Sequence, residues 1–458
     1  MVDEQHAVPR TGSILAVLAL GGGAYALLQS LVVPALPVLK HDLHTTTTGV
    51  AWIFTSYLLA ASVVTPIAGR LGDMFGKKRV LVLSLVGLTL GSLLAALATS
   101  LPLMIVARTT QGLGGAIFPL AFGIIRDEFP RHRVAGAIAL ISGLLGIGGG
   151  LGIVLAGPIL QHVSYHWLFW VPMIVTAIAT LAAVAVIPES RERATGSVHW
   201  LGGVLLSLWL VFLLLAVSEA SSWGWGSVRI LGLIVAAGLV AGVWVWAENR
   251  SAHPLVDMKM MRLPGVRTTN TAALLLGFGM YSAFVLIPQF VQTPRSTGYG
   301  FGASVSQAGL FLVPSTIAML VASPIGGRLS NVVGSKVPLV LGSSVTTLSF
   351  VVLALAHSHW QVFLASALLG TGIGLAFASM ANLIVEAVPR DQTGVATGMN
   401  AIVRTIGGAI GAEVAATIIA AHALSSGQPA ESGYTITFVI CAAVVGVGVV
   451  ASLSVPSR

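Results

Sequence analysis

One acid and two basic side chains lie deep inside long apolar segments of this 458-residue chain. The only acid well inside such a segment is Glu413, in Gly407-Gly-Ala-Ile-Gly411-Ala-Glu413. An ionised group in apolar surroundings is costly unless it is paired or reached by water, so a carboxylate there is suited to gain and lose a proton. Glu413 is therefore a candidate proton-coupling residue. The alternative is an acid that is merely hydrated at the mouth of a cleft.

The two basic residues are Arg108 and Arg404. A guanidinium in lipid costs about 2.5 to 3.5 kcal/mol on insertion scales, so Arg108 is expected to face a cavity or a partner. A structural salt bridge or a snorkelling side chain is the alternative. Arg404 lies nine residues before Glu413, about 13 Å along a helix axis and on the opposite face, so it should not neutralise that acid. Both arginines are candidates for a role in proton coupling or conformational switching.

The composition indicates a membrane protein. Of its residues, 56% are hydrophobic and 8% are charged, against about 25% charged in an ordinary soluble domain. No soluble domain fits between the apolar segments, and the first of them is too long for the apolar part of a secretory leader. The sole cysteine, Cys441, excludes a disulfide within the chain and a cysteine metal site. Fourteen segments are long enough to span a bilayer, at 13–37, 48–68, 80–99, 102–124, 135–158, 166–187, 201–218, 229–247, 270–291, 307–326, 338–356, 361–385, 395–420 and 434–455.

The distribution of basic residues predicts a topology. If the amino terminus lies inside and every segment reverses direction, 18 of the 23 Lys and Arg residues face the inside, whereas only Lys40, Arg229 and Arg295 face the outside. This asymmetry is the positive-inside bias, and it predicts a multi-pass protein of the cell membrane with both termini cytoplasmic. The net charge of +8 therefore reflects topology, and no nucleic-acid partner is expected.

A repeated segment divides the chain into two halves. The sequence at 66–78 recurs at 324–336, 258 positions later, and a weaker echo pairs Pro130 with Pro389. So long a period indicates a duplicated membrane transporter rather than a solenoid. We expect an all-α membrane protein in three parts: a six-helix bundle at residues 1–190, two inserted transmembrane helices with linkers at 191–268, and a second six-helix bundle at 269–458.

The first copy of this segment must turn the chain between the second and third spans. Its glycines permit a close turn with positive φ, and its four basic residues should anchor the turn at the inner surface. Asp73, an acid among them, is positioned to meet a helix N-terminus or an arginine. An ordinary positive-inside loop is the alternative. The residues concerned are Gly69, Arg70, Gly72, Asp73, Gly76, Lys77, Lys78 and Arg79.

This segment resembles the loop signature of the major facilitator superfamily. The resemblance implies that family's fold, here with 14 transmembrane helices as two six-helix bundles plus two inserted helices. It also implies that Asp73 helps to latch the outward-facing state. Asn331 stands at the matching place of the second half, so a charge-dependent latch should be one-sided. The sequence around Arg108 in span four resembles the arginine motif of the same family.

The resemblance narrows to the fourteen-span drug:proton antiporters, with two departures. The antiporter motif of span five has Ile153 where a proline is expected, and the first span has Leu28 where this group usually carries an acid. Coupling to protons must then use another acid or be absent. The supporting residues are Trp52, Tyr57, His199, Trp200, Gly202, Trp223, Trp225, Pro254 and Pro314.

By the same resemblance, spans one, four, nine and twelve line a central cavity. A large apolar cavity with few polar groups suits amphipathic or lipophilic solutes. The absence of a clear carboxylate weakens the case for a specialist in cationic dyes and leaves neutral, zwitterionic or anionic drugs open. Core packing is the alternative for each aromatic residue. The expected lining residues are Tyr25, Gln29, Gln111, Phe118, Tyr281, Phe284, Gln289, Phe377 and Asn382.

These expectations combine into a secondary active transporter that exports hydrophobic or amphipathic small molecules by alternating access, in exchange for protons. Its partners would be the lipid bilayer, its solute and protons, and it would act as a monomer with no metal and no cofactor beyond the proton gradient. A facilitator or proton symporter of a small metabolite is one alternative, and a membrane sensor that transports nothing is another. An enzyme is not expected, because no nucleophile, base and metal ligands cluster in the sequence.

Overall fold

The computed structural model describes residues 4–189, 199–424 and 428–456. These residues form helices and their connections, apart from one isolated β-bridge between Ala423 and Pro429. Long apolar runs favour helices because a helix satisfies its own backbone hydrogen bonds, which lipid cannot do. The predicted all-α class is confirmed for the described part of the chain.

Eight helices form the amino-terminal group. A 3-10 turn at Val33–Ala35 separates the first long helix from a short one, and a second 3-10 turn, Gly112–Ala116, interrupts the fourth predicted span. The helices are α1 (Glu4–Leu31), α2 (Leu36–Asp42), α3 (Thr47–Phe75), α4 (Lys77–Ala96), α5 (Leu101–Gln111), α6 (Ile117–Glu128), α7 (Arg131–His162) and α8 (Trp167–Val186).

Four inserted helices and seven carboxy-terminal helices follow. The inserted helices are α9 (Trp200–Ser218), α10 (Ala220–Trp223), α11 (Val228–Arg250) and α12 (Met258–Arg262). The carboxy-terminal helices are α13 (Pro264–Gln292), α14 (Val305–Leu310), α15 (Val313–Val333), α16 (Lys336–Ala354), α17 (His359–Ala387), α18 (Thr393–Ala421) and α19 (Glu431–Leu453).

Thirteen helical segments in the described residues are long and apolar enough to cross a membrane. The fourth predicted crossing, 102–124, is built differently, because α5 and α6 share it on either side of the 3-10 turn. Close packing accounts for two glycines of this turn: a Cβ at Gly112 would collide with Ala60, and one at Gly115 would lie 2.6 Å from Thr65 Oγ1. With this composite crossing, the fourteen predicted spans are accounted for.

Each copy of the repeated segment turns at a single glycine. Gly76 (φ 111°) ends α3, and Gly334 (φ 83°) ends α15. Both values lie in the region that favours glycine, as predicted. The expectation of a turn that includes Gly69 and Gly72 is wrong, because both lie inside α3. Their missing side chains serve close packing between helices instead of a turn.

The amino-terminal and carboxy-terminal groups meet along several helix pairs. The helix α3 packs against α18, and α7 packs against α15 and α17. The inserted helices α9 and α11 pair with each other, and α9 also contacts α3 and α18. One apolar core joins Leu206 and Trp244 of the inserted helices to Val266 and Ile402 of the carboxy-terminal group. The inserted pair therefore packs beside α18.

The predicted division into three parts stays a prediction. Its first boundary, at residue 190, lies outside the described residues, as does the charged loop at 191–198. Its second boundary, between residues 268 and 269, falls inside α13, which begins at Pro264.

Candidate functional site

Asp73 joins the amino-terminal helices to the start of α18. Its Oδ2 accepts hydrogen bonds from the backbone N–H groups of Gly394 (3.0 Å) and Val395 (3.3 Å). These groups lie in the first turn of α18, where N–H donors have no acceptor within the helix and the helix dipole favours negative charge. Asp73 is 1% exposed. The predicted meeting of this acid with a helix N-terminus is confirmed.

Lys77 lies buried between two acids. Its Nζ is 2.7 Å from Asp127 Oδ2 and 3.7 Å from Asp73 Oδ1, and the residue is 1% exposed. Its stem packs on Gly123, where a Cβ would lie 2.6 Å from Lys77 Cε. Lys77 and the buried Arg70 therefore contradict the prediction that all four basic residues anchor the turn at the inner surface. The ammonium of Lys77 instead compensates two desolvated carboxylates.

The other two basic residues of the turn do lie near the surface. The ammonium of Lys78 donates to the backbone carbonyl of Val184 (2.8 Å). Arg79 Nε is 3.1 Å from Glu189 Oε2, with both side chains partly exposed. These contacts join the start of α4 to the end of α8 and the residues after it, within the amino-terminal group.

Arg126 forms a second contact between the two groups, and sequence analysis missed it. Its guanidinium donates to the carbonyls of Val388 (2.8 Å) and Pro389 (3.1 Å) and to Thr393 Oγ1 (2.5 Å). We call the contacts of Asp73 and Arg126 with residues 388–395 the inner gate. The available signal was the charged run Arg126-Asp-Glu128 at the end of span four.

Replacing Arg126 with methionine is expected to open the inner gate. A hydrogen bond from a charged donor contributes about 1.5 to 3 kcal/mol, so its loss should raise the inside-open population roughly tenfold or more. Spin labels at the exposed residues Phe75 and Val332 would report the separation of the two groups by electron paramagnetic resonance. We expect a new, longer distance in this variant. Arg133→Met, which removes an exposed arginine near the same end, should keep the wild-type distance, and a longer distance there would contradict the assignment.

The second copy of the repeat makes a weaker contact. Asn331 Nδ2 donates to the carbonyl of His132 at 3.4 Å, in an exposed position. The carboxylate contact of the repeated segment therefore occurs in one copy, as the sequence predicts. Both contacts lie at the end of the molecule that carries the excess of Lys and Arg, so the described structure is closed on the predicted inner side.

Arg108 is fully buried, and its partners are uncharged. Its Nε donates to the Ile53 carbonyl (3.0 Å), its Nη1 donates to Gln111 Oε1 (2.7 Å), and its guanidinium carbon lies 4.3 Å from the centre of the Tyr57 ring. Gln111 in turn donates to Ser92 Oγ (3.2 Å). Arg108 has partners, as expected. Gln111 was predicted to line the cavity, but it is buried among the amino-terminal helices.

Two small cavities lie between the amino-terminal and carboxy-terminal groups. Their volumes are about 20 and 50 Å³, whereas a drug-sized ligand needs about 300 to 1,000 Å³. The described structure therefore shows no cavity of that size between the two groups at the predicted place. Both cavities are lined by Phe118, Pro119, Leu145, Ala401 and Arg404, the smaller one also by Phe377, and the larger one also by Tyr25, Gln29 and Tyr281.

The polar groups of these cavities come from both sides. Gln29 Nε2 donates to the Tyr281 hydroxyl (3.3 Å), which joins α1 to α13. The Arg404 guanidinium carbon lies 4.7 Å from the centre of the Phe377 ring. The rings of Tyr25 and Phe118 meet edge to face at 6.0 Å. The structure thus brings five of the predicted lining residues together and adds Arg404, for which we predicted a different role.

Three further residues predicted to line the cavity lie elsewhere. Asn382 is buried and donates to the Ala135 carbonyl (3.4 Å), in a contact between α17 and α7. Gln289 is exposed near the carboxyl end of α13. Phe284 is half-buried and packs against the apolar core of the carboxy-terminal group. A helical register alone did not distinguish these positions from the cavity face.

Glu413 faces the inserted helices. Its carboxyl group lies beside Ser221 of α10, with Glu219 nearby, and its Oε1 is buried without a hydrogen-bond partner among the described residues. One turn further along α18, Thr417 Oγ1 accepts a hydrogen bond from Trp225 Nε1 (2.9 Å). Arg404 points to the cavities instead, so the predicted separation of Arg404 from Glu413 is confirmed.

A further buried acid lies one residue beyond the eighth predicted span, which ends at residue 247. Glu248 is 2% exposed within α11. Its Oε1 lies 3.5 Å from His199 Nδ1, and its Oε2 accepts from the Val256 N–H at 3.4 Å. This acid lies at the end of an apolar run, where sequence analysis places the membrane boundary. Its partners connect α11 with the residues that flank the inserted helices.

Comparison with known proteins gives a consistent result. A family model described as Major Facilitator Superfamily matches residues 18–412, with a second match over 269–458. The chain is 30% identical to the tetracenomycin C resistance and export protein of Streptomyces glaucescens, over 89% of this chain and 76% of that protein. It is 26% identical to multidrug resistance protein 3 of Bacillus subtilis, over 80% and 72%.

Two other matches bear on length and fold. An uncharacterized MFS-type transporter of Mycobacterium tuberculosis is 30% identical over 88% of this chain, which spans 58% of that protein. Among solved structures, the human organic anion transporter MFSD10 aligns with a TM-score of 0.65 at 15% identity, covering 94% of this chain and 99% of that one. At that identity the likeness concerns the fold alone.

Proposed function

This chain belongs to the Major Facilitator Superfamily, and from that membership we propose that it exports hydrophobic or amphipathic small molecules across the cell membrane in exchange for protons. Relatives named for multidrug resistance and for antibiotic export are 26 to 30% identical to it over most of its length. Those names support drug-like solutes. The many apolar helices of the described chain fit a multi-pass transporter.

The arrangement of the inner gate and the cavities carries this proposal. Asp73 and Arg126 hold the two groups of helices together at one end, and the cavities lie between the same two groups. Each group also has an apolar core made only of its own residues. Opening the gate would therefore break these hydrogen bonds, separate α3 from the start of α18, and expose the cavities to the inside without unfolding either group, which is what alternating access requires.

Glu413 is the proposed proton carrier. Protonation would turn its unpartnered, buried oxygen from an acceptor into a donor. The helix that bears it, α18, also contributes Gly394 to the inner gate and Arg404 to the cavities. A shift of α18 when Glu413 gains or loses a proton would thus act on the gate and on the solute site together.

Replacing Glu413 with glutamine should uncouple transport from the pH gradient. Glutamine keeps the shape of the protonated side chain and cannot release a proton. In proteoliposomes with a panel of lipophilic compounds, we expect the wild type to move solute against its gradient when a pH gradient is imposed. The variant should equilibrate the same solute without accumulating it. We expect at least a tenfold difference in the final concentration ratio, roughly what one proton supplies per pH unit.

Glu431→Gln is the matched control, because Glu431 is partly exposed at the start of α19. It should retain gradient-driven accumulation. Equal accumulation by wild type and Glu413→Gln would rule out Glu413 as the carrier. If no compound responds to the pH gradient in the wild type, proton exchange itself fails.

One observation favours a facilitator as the second candidate. Leu28 is fully buried at the place where the resembling antiporters carry an acid, and no acid lines the two cavities in the described residues. A facilitator would equilibrate its solute at the same rate with or without a pH gradient. The same proteoliposome assay therefore distinguishes the two functions.

A further inference from the structure

We propose that the cavities between the two groups bind amphipathic aromatic anions, and that Arg404 holds the anionic group. This inference rests on the proposed export function and names its substrate class. It also assigns Arg404 a binding role in place of the coupling role expected from the sequence.

The charge of the site favours an anion. Among the described residues that line the two cavities, Arg404 is the only charged one. The acids of neighbouring helices are engaged elsewhere. Asp73 and Asp127 contact Lys77 at the inner end, and Glu413 lies against the inserted helices. A solute that enters the cavities therefore meets one positive charge in surroundings of low dielectric, where its field is weakly screened.

Arg404 lacks a counter-ion in the described chain. None of the ion pairs there involves it, and its observed contact is with the face of Phe377. Arg108 provides the contrast, because two hydrogen bonds and the Tyr57 ring hold that guanidinium inside the amino-terminal group. Arg404 is half-buried beside the cavities, so its N–H donors are available to a ligand. A carboxylate or sulfonate would neutralise the charge of Arg404 and accept two parallel hydrogen bonds from its guanidinium.

The shape and chemistry of the cavity walls favour an aromatic solute. Phe377, Phe118 and Tyr25 present aromatic surface on both sides of Arg404. Tyr281 and Gln29 supply a hydroxyl and an amide to the lining of the larger cavity. Flat ring systems fit such walls, because they pack edge to face or offset against aromatic side chains. An aromatic body with one acidic group matches both features.

This substrate class changes the energetics of export. Outward movement of a monovalent anion carries negative charge out of the cell, so an inside-negative potential drives it, by a factor of roughly fifty in the concentration ratio for each 100 mV. Inward movement of a proton carries charge in the same direction. Export should therefore respond to membrane potential, which a one-for-one exchange of a monovalent cation for a proton would not.

Three fluorescent probes of matched size test the charge preference: anthracene-9-carboxylate, its neutral methyl ester and the cationic 9-anthracenemethylammonium. Binding to purified protein in detergent and transport in proteoliposomes should be measured for each. We expect the wild type to prefer the carboxylate. Arg404→Gln should weaken carboxylate binding about tenfold to a hundredfold, as loss of a charged hydrogen-bond partner does, and leave ester binding within twofold. Arg404→Lys should recover part of the loss. An inside-negative potassium diffusion potential should accelerate carboxylate export.

The outcomes separate this inference from the export proposal. Wild-type protein that binds the ammonium as tightly as the carboxylate would overturn the inference. So would an equal loss of all three probes in Arg404→Gln, because that result would give Arg404 a merely structural role. Arg133→Gln, at an exposed position, should behave as wild type. If the carboxylate binds in an Arg404-dependent manner but no probe is transported, the binding site stands and the export function fails.

Discussion

Replacing Lys77 with methionine is expected to destabilise the protein by about 3 to 5 kcal/mol and to abolish transport. The ammonium of Lys77 is the buried cation between Asp127 and Asp73. Methionine would fill similar space beside Gly123 but would leave two carboxylates buried without the ammonium. Removing one partner of a buried ion pair is strongly destabilising, because the remaining charge is buried without compensation. Thermal unfolding in detergent measures the loss, and transport of the probes in proteoliposomes measures activity.

Two further variants distinguish the charge of Lys77 from its packing. Lys78→Met removes the neighbouring ammonium, which lies near the surface and donates to a carbonyl of α8, so it should cost less than about 1 kcal/mol. Lys77→Met combined with Asp73→Asn and Asp127→Asn removes all three charges and should regain most of the stability. A triple variant as unstable as Lys77→Met alone would show that packing, and not charge, makes Lys77 necessary.

The fold followed from the sequence because its signals are local. Apolar runs long enough to span a bilayer predict helices wherever they occur. The repeated glycines Gly76 and Gly334 mark the same turn in both halves, and the structure confirms their positive φ. Asp73 could be placed at a helix N-terminus or an arginine because it is a short acid among basic residues just before a tight turn. No local pattern in the sequence identifies α18 as the helix that Asp73 contacts.

The residues that line the cavities could not be predicted from the sequence, because the lining depends on how the helices rotate and cross. Arg108 and Gln111 are three residues apart and so lie on one helix face, but the 3-10 turn that begins at Gly112 separates that face from the one bearing Phe118. The sequence predicts span four as a single helix, and the prediction that Gln111 lines the cavity is wrong for this reason. The opposite facing of Arg404 and Glu413 was predictable from their spacing, yet only the packed structure shows that the inserted helices cover the Glu413 face.

Replacing Gly69 with alanine is expected to slow transport by roughly tenfold or more while the protein stays folded. A Cβ at this position of α3 would lie 2.6 Å from the carbonyl oxygen and 2.8 Å from the carbonyl carbon of Gly394 in α18. Overpacking of this kind costs about 1 to 3 kcal/mol. Because the contact joins the two groups only when the inner gate is closed, the cost falls on that state and shifts the population about 5- to 150-fold towards the inside-open one.

Alkylation of a cysteine at Thr397 measures this shift, since Thr397 is buried behind the inner gate and lines the smaller cavity. A membrane-impermeant reagent applied from the inside should label Thr397→Cys slowly in the wild-type background and faster with Gly69→Ala. Alanine is also a better helix former than glycine, so the melting temperature should not fall. Gly238→Ala in α11, where no atom lies within 4 Å of the added Cβ, should change neither labelling nor transport. If Gly69→Ala transports at the wild-type rate, α3 and α18 need not approach this closely during the cycle. The inner gate of Asp73 and Arg126 would then close without the contact at Gly69.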